Sequence, residues 1–218
     1  MNVRLRDQLP LIGISSAIVL IAVVMVVSSL RAPELPAYVP TIAQPRPVGK
    51  ALVGPLQYTI DAATDDGWHF FNFSVGAEVP ESDALGWDLA FRRFNIIANG
   101  GRGFSGTGGI LDLGLAHLDT SGSVPASGYH ATEAGRDSIN QGAVRWYDYG
   151  FTTHVLTSRA HAYAIRTADD RYAKLEIMSY YCPGARPGCV TFRYVYQGDG
   201  SRSLPTLYPD TSAEPGSP

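Results

Sequence analysis

The chain has 218 residues, of which 17% are charged, and a net charge of −3. That length supports one sizeable core, and with no basic patch it gives nucleic acid nothing to bind. Twenty-three glycines and 12 tyrosines beside so few charges favour strands over a helical bundle.

Residues 1–8 hold Arg4, Arg6 and Asp7 and read as a short cytoplasmic N-terminus. Residues 9–30, Leu9 to Leu30, are uncharged and mostly aliphatic. As a helix rising 1.5 Å per residue they would span about 33 Å, enough for the hydrocarbon core of a bilayer. Pro10 falls in the first turn, where a missing N–H costs little. A cleaved signal peptide has an apolar core of about 7–15 residues and a small-residue cleavage site. This run is longer, and although a peptidase could accept Val27-x-Ser29, it reads as an uncleaved signal anchor. No cysteine follows it closely, so attachment through a lipoprotein cysteine is not expected. Arg4 and Arg6 put the N-terminus in the cytoplasm by the positive-inside rule, with Arg31 weakening the bias. The expected location is therefore the inner membrane, single-pass, with the C-terminal domain on the periplasmic side. Gly13, Ser15, Ser16 and Ala17 would let a neighbouring membrane helix pack closely.

Residues 31–56 form a proline-rich tether with Pro33, Pro36, Pro40, Pro45, Pro47 and Pro55. Extended as polyproline it could reach about 70 Å. Its apolar dots, Leu35, Tyr38, Val39 and Ile42, favour a second use, lying along a partner's surface.

Residues 57–198 read as one all-β domain, mainly antiparallel. Strand patterns run from Tyr58, through Trp68–Val75 and Trp87–Ile97, to Ile110–Leu118 beyond a glycine-rich loop. Residues 119–143 read as loops with short strands. Strand patterns return over Trp146–Thr157 and His161–Thr167, and Tyr163–Tyr181 reads as a hairpin turning at Ala168-Asp169-Asp170. Val190–Gln197 is the last strand, and residues 199–218 are a polar, proline-containing tail.

The stretch Trp87–Asn95 (WDLAFRRFN), followed by Asn99-Gly100-Gly101 and Gly108-Gly109, resembles the HmuY-like family of secreted bacterial β-proteins. A second block carries the same resemblance: Tyr163–Tyr181 (YAIRTADDRYAKLEIMSYY) and Val190–Gln197 (VTFRYVYQ). The resemblance covers roughly residues 58–197 and implies an all-β fold. The best-known members are haem-binding haemophores, so it also implies haem as a ligand, held by axial histidines or methionines in loops around the sheets.

Cys182 and Cys189 are the only cysteines and bracket PGARPG at a hairpin neck. In an oxidising compartment they read as a disulfide; a metal or redox pair would call for C-x-x-C spacing or a nearby histidine. Gly101, Gly103 and Gly106 spell G-x-G-x-x-G, but a dinucleotide site needs a helix next, and a strand pattern follows. His69, His117, His130, His154 and His161 show no metal-binding spacing, and neither they nor Met178 form a recognisable axial pair. Asp65-Asp66 and Asp169-Asp170 read as turn formers. Arg92 and Arg93, adjacent on a presumed strand, would face opposite ways, one of them inward toward Asp88 or Glu176. Trp68, Trp87, Trp146, Tyr180, Tyr181, Tyr194 and Tyr196 read as core or cross-strand aromatics, with any outward ones available to an interface.

No catalytic, cofactor-binding or metal-ligating residue stands out, so no enzyme activity is expected. The main expectation is an accessory subunit whose periplasmic domain docks on and stabilises a larger membrane complex, respiratory or photosynthetic, without a cofactor. Its partners would be other membrane subunits and the lipid bilayer. The alternative is a haem- or porphyrin-binding protein of the periplasmic face.

Overall fold

The computed structural model describes residues 5–30, 35–80, 84–116, 118, 122–135 and 138–204, without the side chains of 5–12 and 28–30. The chain divides into two compact units, residues 1–34 with 149–156, and residues 35–148 with 157–218.

Helix α1, in the first unit, runs over Leu5–Leu30. Its described aliphatic side chains, from Ile14 to Val27, are exposed on every face. Among the described residues no helix is long and apolar enough to cross a membrane. The side chains described along α1 are those of residues 13–27. The expected span of 9–30 extends past them at both ends. Gly13, Ser16 and Ala17 are exposed along the helix.

In chain order the strands are β1 (Leu52–Asp61), β2 (His69–Asn72), β3 (Ala77–Val79), β4 (Leu89–Arg92), β5 (Asn95–Ala98), β6 (Gly109–Asp112), β7 (Gly122–Ser123) and β8 (Thr132–Glu133). They continue as β9 (Ile139–Asn140), β10 (Tyr147–Tyr149), β11 (Leu156–Ser158), β12 (Ala162–Arg166), β13 (Tyr172–Cys182), β14 (Arg186–Gln197) and β15 (Ser203–Leu204). An antiparallel five-stranded sheet has the order β1-β14-β13-β12-β6, and an antiparallel four-stranded sheet has the order β3-β2-β4-β5.

The two-residue strand period explains how the sheets pack. Phe192, Tyr194 and Tyr196 alternate along β14 and meet Phe71 and Phe73 from the other sheet. Phe91 of β4 stacks on Phe192, with ring centres 5.4 Å apart and planes 2° from parallel. Each such pair adds about 0.5–1.5 kcal/mol beyond burial of its area. Val195, on the opposite face of β14, joins a second cluster with Ala164, Tyr172 and Leu204. Phe70, Trp87, Ala90 and Ile97 form a third on the far side of the four-stranded sheet.

Three details differ from the sequence reading. Trp87–Ile97 is a hairpin, with β4 and β5 joined at Arg93, whose φ is +55°. Arg92 and Arg93 therefore sit at a turn rather than on opposite faces of a strand. Arg92 lies 4.6 Å from the Trp68 ring centre and Arg93 donates to the Ala63 carbonyl. Glu176 pairs instead with Arg193, at 2.8 Å.

The third difference is the tether. Residues 35–48 lie on the β-domain's own surface, and β1 begins at Leu52. Tyr38 N–H donates to Tyr181 O (3.0 Å), Thr41 N–H to Thr59 O (2.9 Å), Arg46 N–H to Val75 O (3.0 Å) and Val48 N–H to Ser74 O (2.9 Å). Thr59 N–H donates back to Thr41 Oγ1 at 3.0 Å. Ser179 Oγ donates to Pro36 O. This strap covers β1, an edge of the larger sheet, where unpaired backbone groups would otherwise template aggregation.

Candidate functional site

Two buried polar side chains, Asp88 and Asn99, lie at the base of the glycine loop. Asp88 precedes β4 and is buried. Its Oδ2 accepts from Phe73 N–H (2.8 Å) and its Oδ1 from Ala168 N–H (2.9 Å). Burial, the largest influence, pushes its pKa up to about 7, while the two N–H donors oppose that rise. Asn99 follows β5. Its Nδ2 donates to the carbonyls of Ala84 and Trp87, both at 2.9 Å, and its Oδ1 accepts from Gly106 N–H at 3.2 Å. Asn99 N–H donates to Asp88 O. The loop runs from here to β6 without forming a helix. Two of its glycines have distinct reasons. A Cβ at Gly106 would sit 2.3 Å from Asn99 O, and Gly101 has φ +111°. The G-x-G-x-x-G is thus a close-packed turn, with no helix N-terminus for a pyrophosphate.

Between the strap and β1 lies an open groove of about 460 Å³, lined by Thr41, Ile42, Gln44, Leu56, Gln57, Tyr58, Gly76 and Tyr194. It holds apolar and neutral polar groups and offers no ionised side chain. A smaller, more enclosed cavity of about 50 Å³ lies among Phe94, Ile96, Ile139, Val144 and Tyr147.

The described histidines are dispersed. His69 Nδ1 meets Glu78 Oε1 at 2.8 Å, and His161 Nδ1 meets Asp112 Oδ1 at 2.9 Å. His154 Nδ1 bonds the Tyr149 hydroxyl. His130 exchanges backbone bonds with Ile110. His117 lies outside the described residues. Met178 is half-buried on β13. Among the described residues no groove given above contains a histidine or a methionine.

Cys182 and Cys189 form a disulfide at the β13–β14 turn. Asp61 lies beside it, but both sulfurs are committed to each other, so the three make no metal site. The Arg186 guanidinium, donating to Asp61, holds that carboxyl below the usual range. Tyr180, Tyr181, Tyr194, Tyr196, Trp87 and Trp146 are buried, so this group serves the core and not an interface.

No family model and no curated protein matches the chain. Solved structures do. The HmuY analog of Tannerella forsythia superposes over 69% of this chain and 98% of its own, with TM-score 0.56 and 17% identity. The β-domain has the HmuY-like fold. A Bacteroides fragilis protein described as a lipoprotein matches 65% of this chain and 90% of its own, at TM-score 0.51 and 21% identity. A Bacteroides vulgatus protein described as HmuY-like and haem-binding matches 65% and 91%, at TM-score 0.50 and 18% identity. At these identities the HmuY-like likeness establishes the fold alone.

The sequence motif that carried the HmuY-like resemblance contains Asp88, Asn99 and the loop glycines. Their polar pairing has two visible signs in the sequence, an Asp within an apolar strand pattern and an Asn before Gly-Gly. The Thr41–Thr59 pairing left no pattern in the sequence.

Proposed function

We propose that the chain is a non-enzymatic accessory subunit, anchored by α1 in the cytoplasmic membrane. Its HmuY-like domain, on the periplasmic side, docks on and stabilises a larger membrane protein complex, such as a respiratory or photosynthetic one. The observation that carries this reading is the character of α1. Over residues 13–27, where its side chains are described, it exposes aliphatic groups on every face. A helix apolar on every face belongs in a protein core or in lipid. Gly13, Ser16 and Ala17 would serve helix–helix packing there.

The test is fractionation of native membranes. Carbonate washing should leave the protein in the pellet. Release of intact protein, or an N-terminus near Ser29, would sink the anchor.

The solved relatives favour a second reading, a haem- or porphyrin-binding protein of the periplasmic face, more than they favour the first. The names of the T. forsythia and B. vulgatus proteins point to it. Haem iron needs one or two axial ligands facing an apolar slot. None of the described histidines lines either of the two grooves, so the grooves do not meet that requirement. Titrating residues 35–218 with haemin separates the readings: a Soret shift saturating at one equivalent supports the second, and its absence the first.

A further inference from the structure

We propose that residues 149–156, the tip of the β10–β11 hairpin, are a membrane-interface anchor that seats Phe151 and Tyr149 in the headgroup region of the bilayer. This rests on reading α1 as the membrane anchor. Four observations point to it. First, the tip is the one segment that forms a compact unit with residues 1–34, which include α1. Second, its sequence, Tyr-Gly-Phe-Thr-Thr-His-Val-Leu, has no acidic, lysine or arginine side chain. The nearest ionised pair, Asp148 and Arg159, neutralise each other at the base of the hairpin, 2.6 Å apart. Third, Phe151 is 78% and Tyr149 53% exposed. Fourth, the tip closes its own backbone: Gly150 N–H donates to Val155 O and His154 N–H to Gly150 O. The Tyr149 hydroxyl is held by His154 Nδ1.

These features match the chemistry of the interface. Aromatic rings, tyrosine and tryptophan above all, concentrate at headgroup level, where an apolar body and a polar tip are both satisfied. Backbone groups entering that zone gain by being paired already. Leu115 is a useful contrast. It is equally exposed, at 78%, but stands in the β-domain unit. A single exposed leucine is ordinary surface.

The experiment uses the full chain in nanodiscs of phosphatidylcholine and phosphatidylglycerol, with one nitroxide label per variant. The native cysteines are joined to each other and stay unlabelled. Labels go on Phe151→Cys, Leu115→Cys and Val19→Cys, with Thr152→Cys as a second tip position should the first fold poorly. Molecular oxygen, enriched in lipid, and a water-soluble nickel chelate are the relaxing agents. The proposal expects oxygen to dominate at position 19, the two agents to be comparable at 151 (or 152), and nickel to dominate at 115. Oxygen at 19 with nickel at the tip would overturn the tip proposal and spare the anchor. Shielding of the tip from both agents would mean a protein partner covers it, which also overturns the proposal. Nickel at 19 would overturn the anchor reading and this proposal with it.

Discussion

The carboxylate of Asp88 lies 2.8 Å from the backbone nitrogen of Phe73, and its other oxygen lies 2.9 Å from that of Ala168. One buried side chain thereby ties the turn after β2 and the turn after β12 to the start of β4. Replacing Asp88 with Asn keeps one acceptor and turns an amide NH₂ toward the other N–H. We expect a loss of about 2–3 kcal/mol in urea unfolding, the cost of a buried donor left without its acceptor.

The same residue predicts a pH dependence. Its folded pKa, about 7, lies above the unfolded value of 3.8. The folded state therefore holds this proton more tightly. The stability that Asp88 contributes is full below about pH 4 and is lost as pH rises through about 7. Unfolding the native protein and Asp88→Asn in parallel from pH 4 to 8 isolates this effect, because other carboxylates cancel in the difference. The gap should narrow as pH rises. A gap independent of pH would show that the two N–H donors outweigh burial.

Gly106 and Gly135 separate packing from composition. A Cβ at Gly106 would meet Asn99 O at 2.3 Å and Ala168 Cα at 2.8 Å, whereas one at Gly135 meets nothing within 4 Å. Gly106→Ala should cost about 1–3 kcal/mol by overpacking, and Gly135→Ala about 0.5 kcal/mol or less in either direction. Equal effects at both sites would contradict the close packing of the loop.

The strap predicts a protection pattern in hydrogen exchange. The amides of Tyr38, Thr41, Arg46 and Val48 donate to the β-domain and should exchange more slowly than those of Val39 and Ile42, whose side chains are exposed. Thr41→Ala removes the acceptor for Thr59 N–H and should speed exchange at Thr59. Uniformly fast exchange across residues 35–48 would return the segment to a solvated spacer.

Cys182 and Cys189 are seven residues apart. Closing so short a loop contributes about 2–3 kcal/mol in the chain-entropy account. The double substitution to serine should lower the urea midpoint accordingly. Two free thiols in non-reducing peptide mapping would remove the disulfide and count against an oxidising compartment.

The sequence was legible where patterns are local. Alternating aromatics announced β2, β4, β13 and β14, and the Ala168-Asp169-Asp170 turn fell between β12 and β13 as its polarity suggests. The Cys-x₆-Cys spacing announced the disulfide. The Arg92-Arg93 hairpin was hidden because arginine is an unusual turn residue and its φ of +55° at Arg93 is set by tertiary contacts, including its bond to Ala63 O. The strap was hidden for a different reason. Its bonds are made by backbone groups to residues 18 or more positions away, such as Thr59 and Tyr181, and prolines advertise only that the segment is extended. The dispersion of the histidines likewise depends on strand order, which single-residue spacing does not report.

We propose that this protein works by contact within a membrane assembly. The most direct measurement is to solubilise native membranes in a mild detergent, separate complexes by native electrophoresis, and identify what migrates with the chain. The account predicts co-migration with other membrane subunits, weakened by Gly13→Leu with Ala17→Leu while the β-domain stays folded. Migration as a lone 23.4 kDa chain that binds haemin tightly would contradict it.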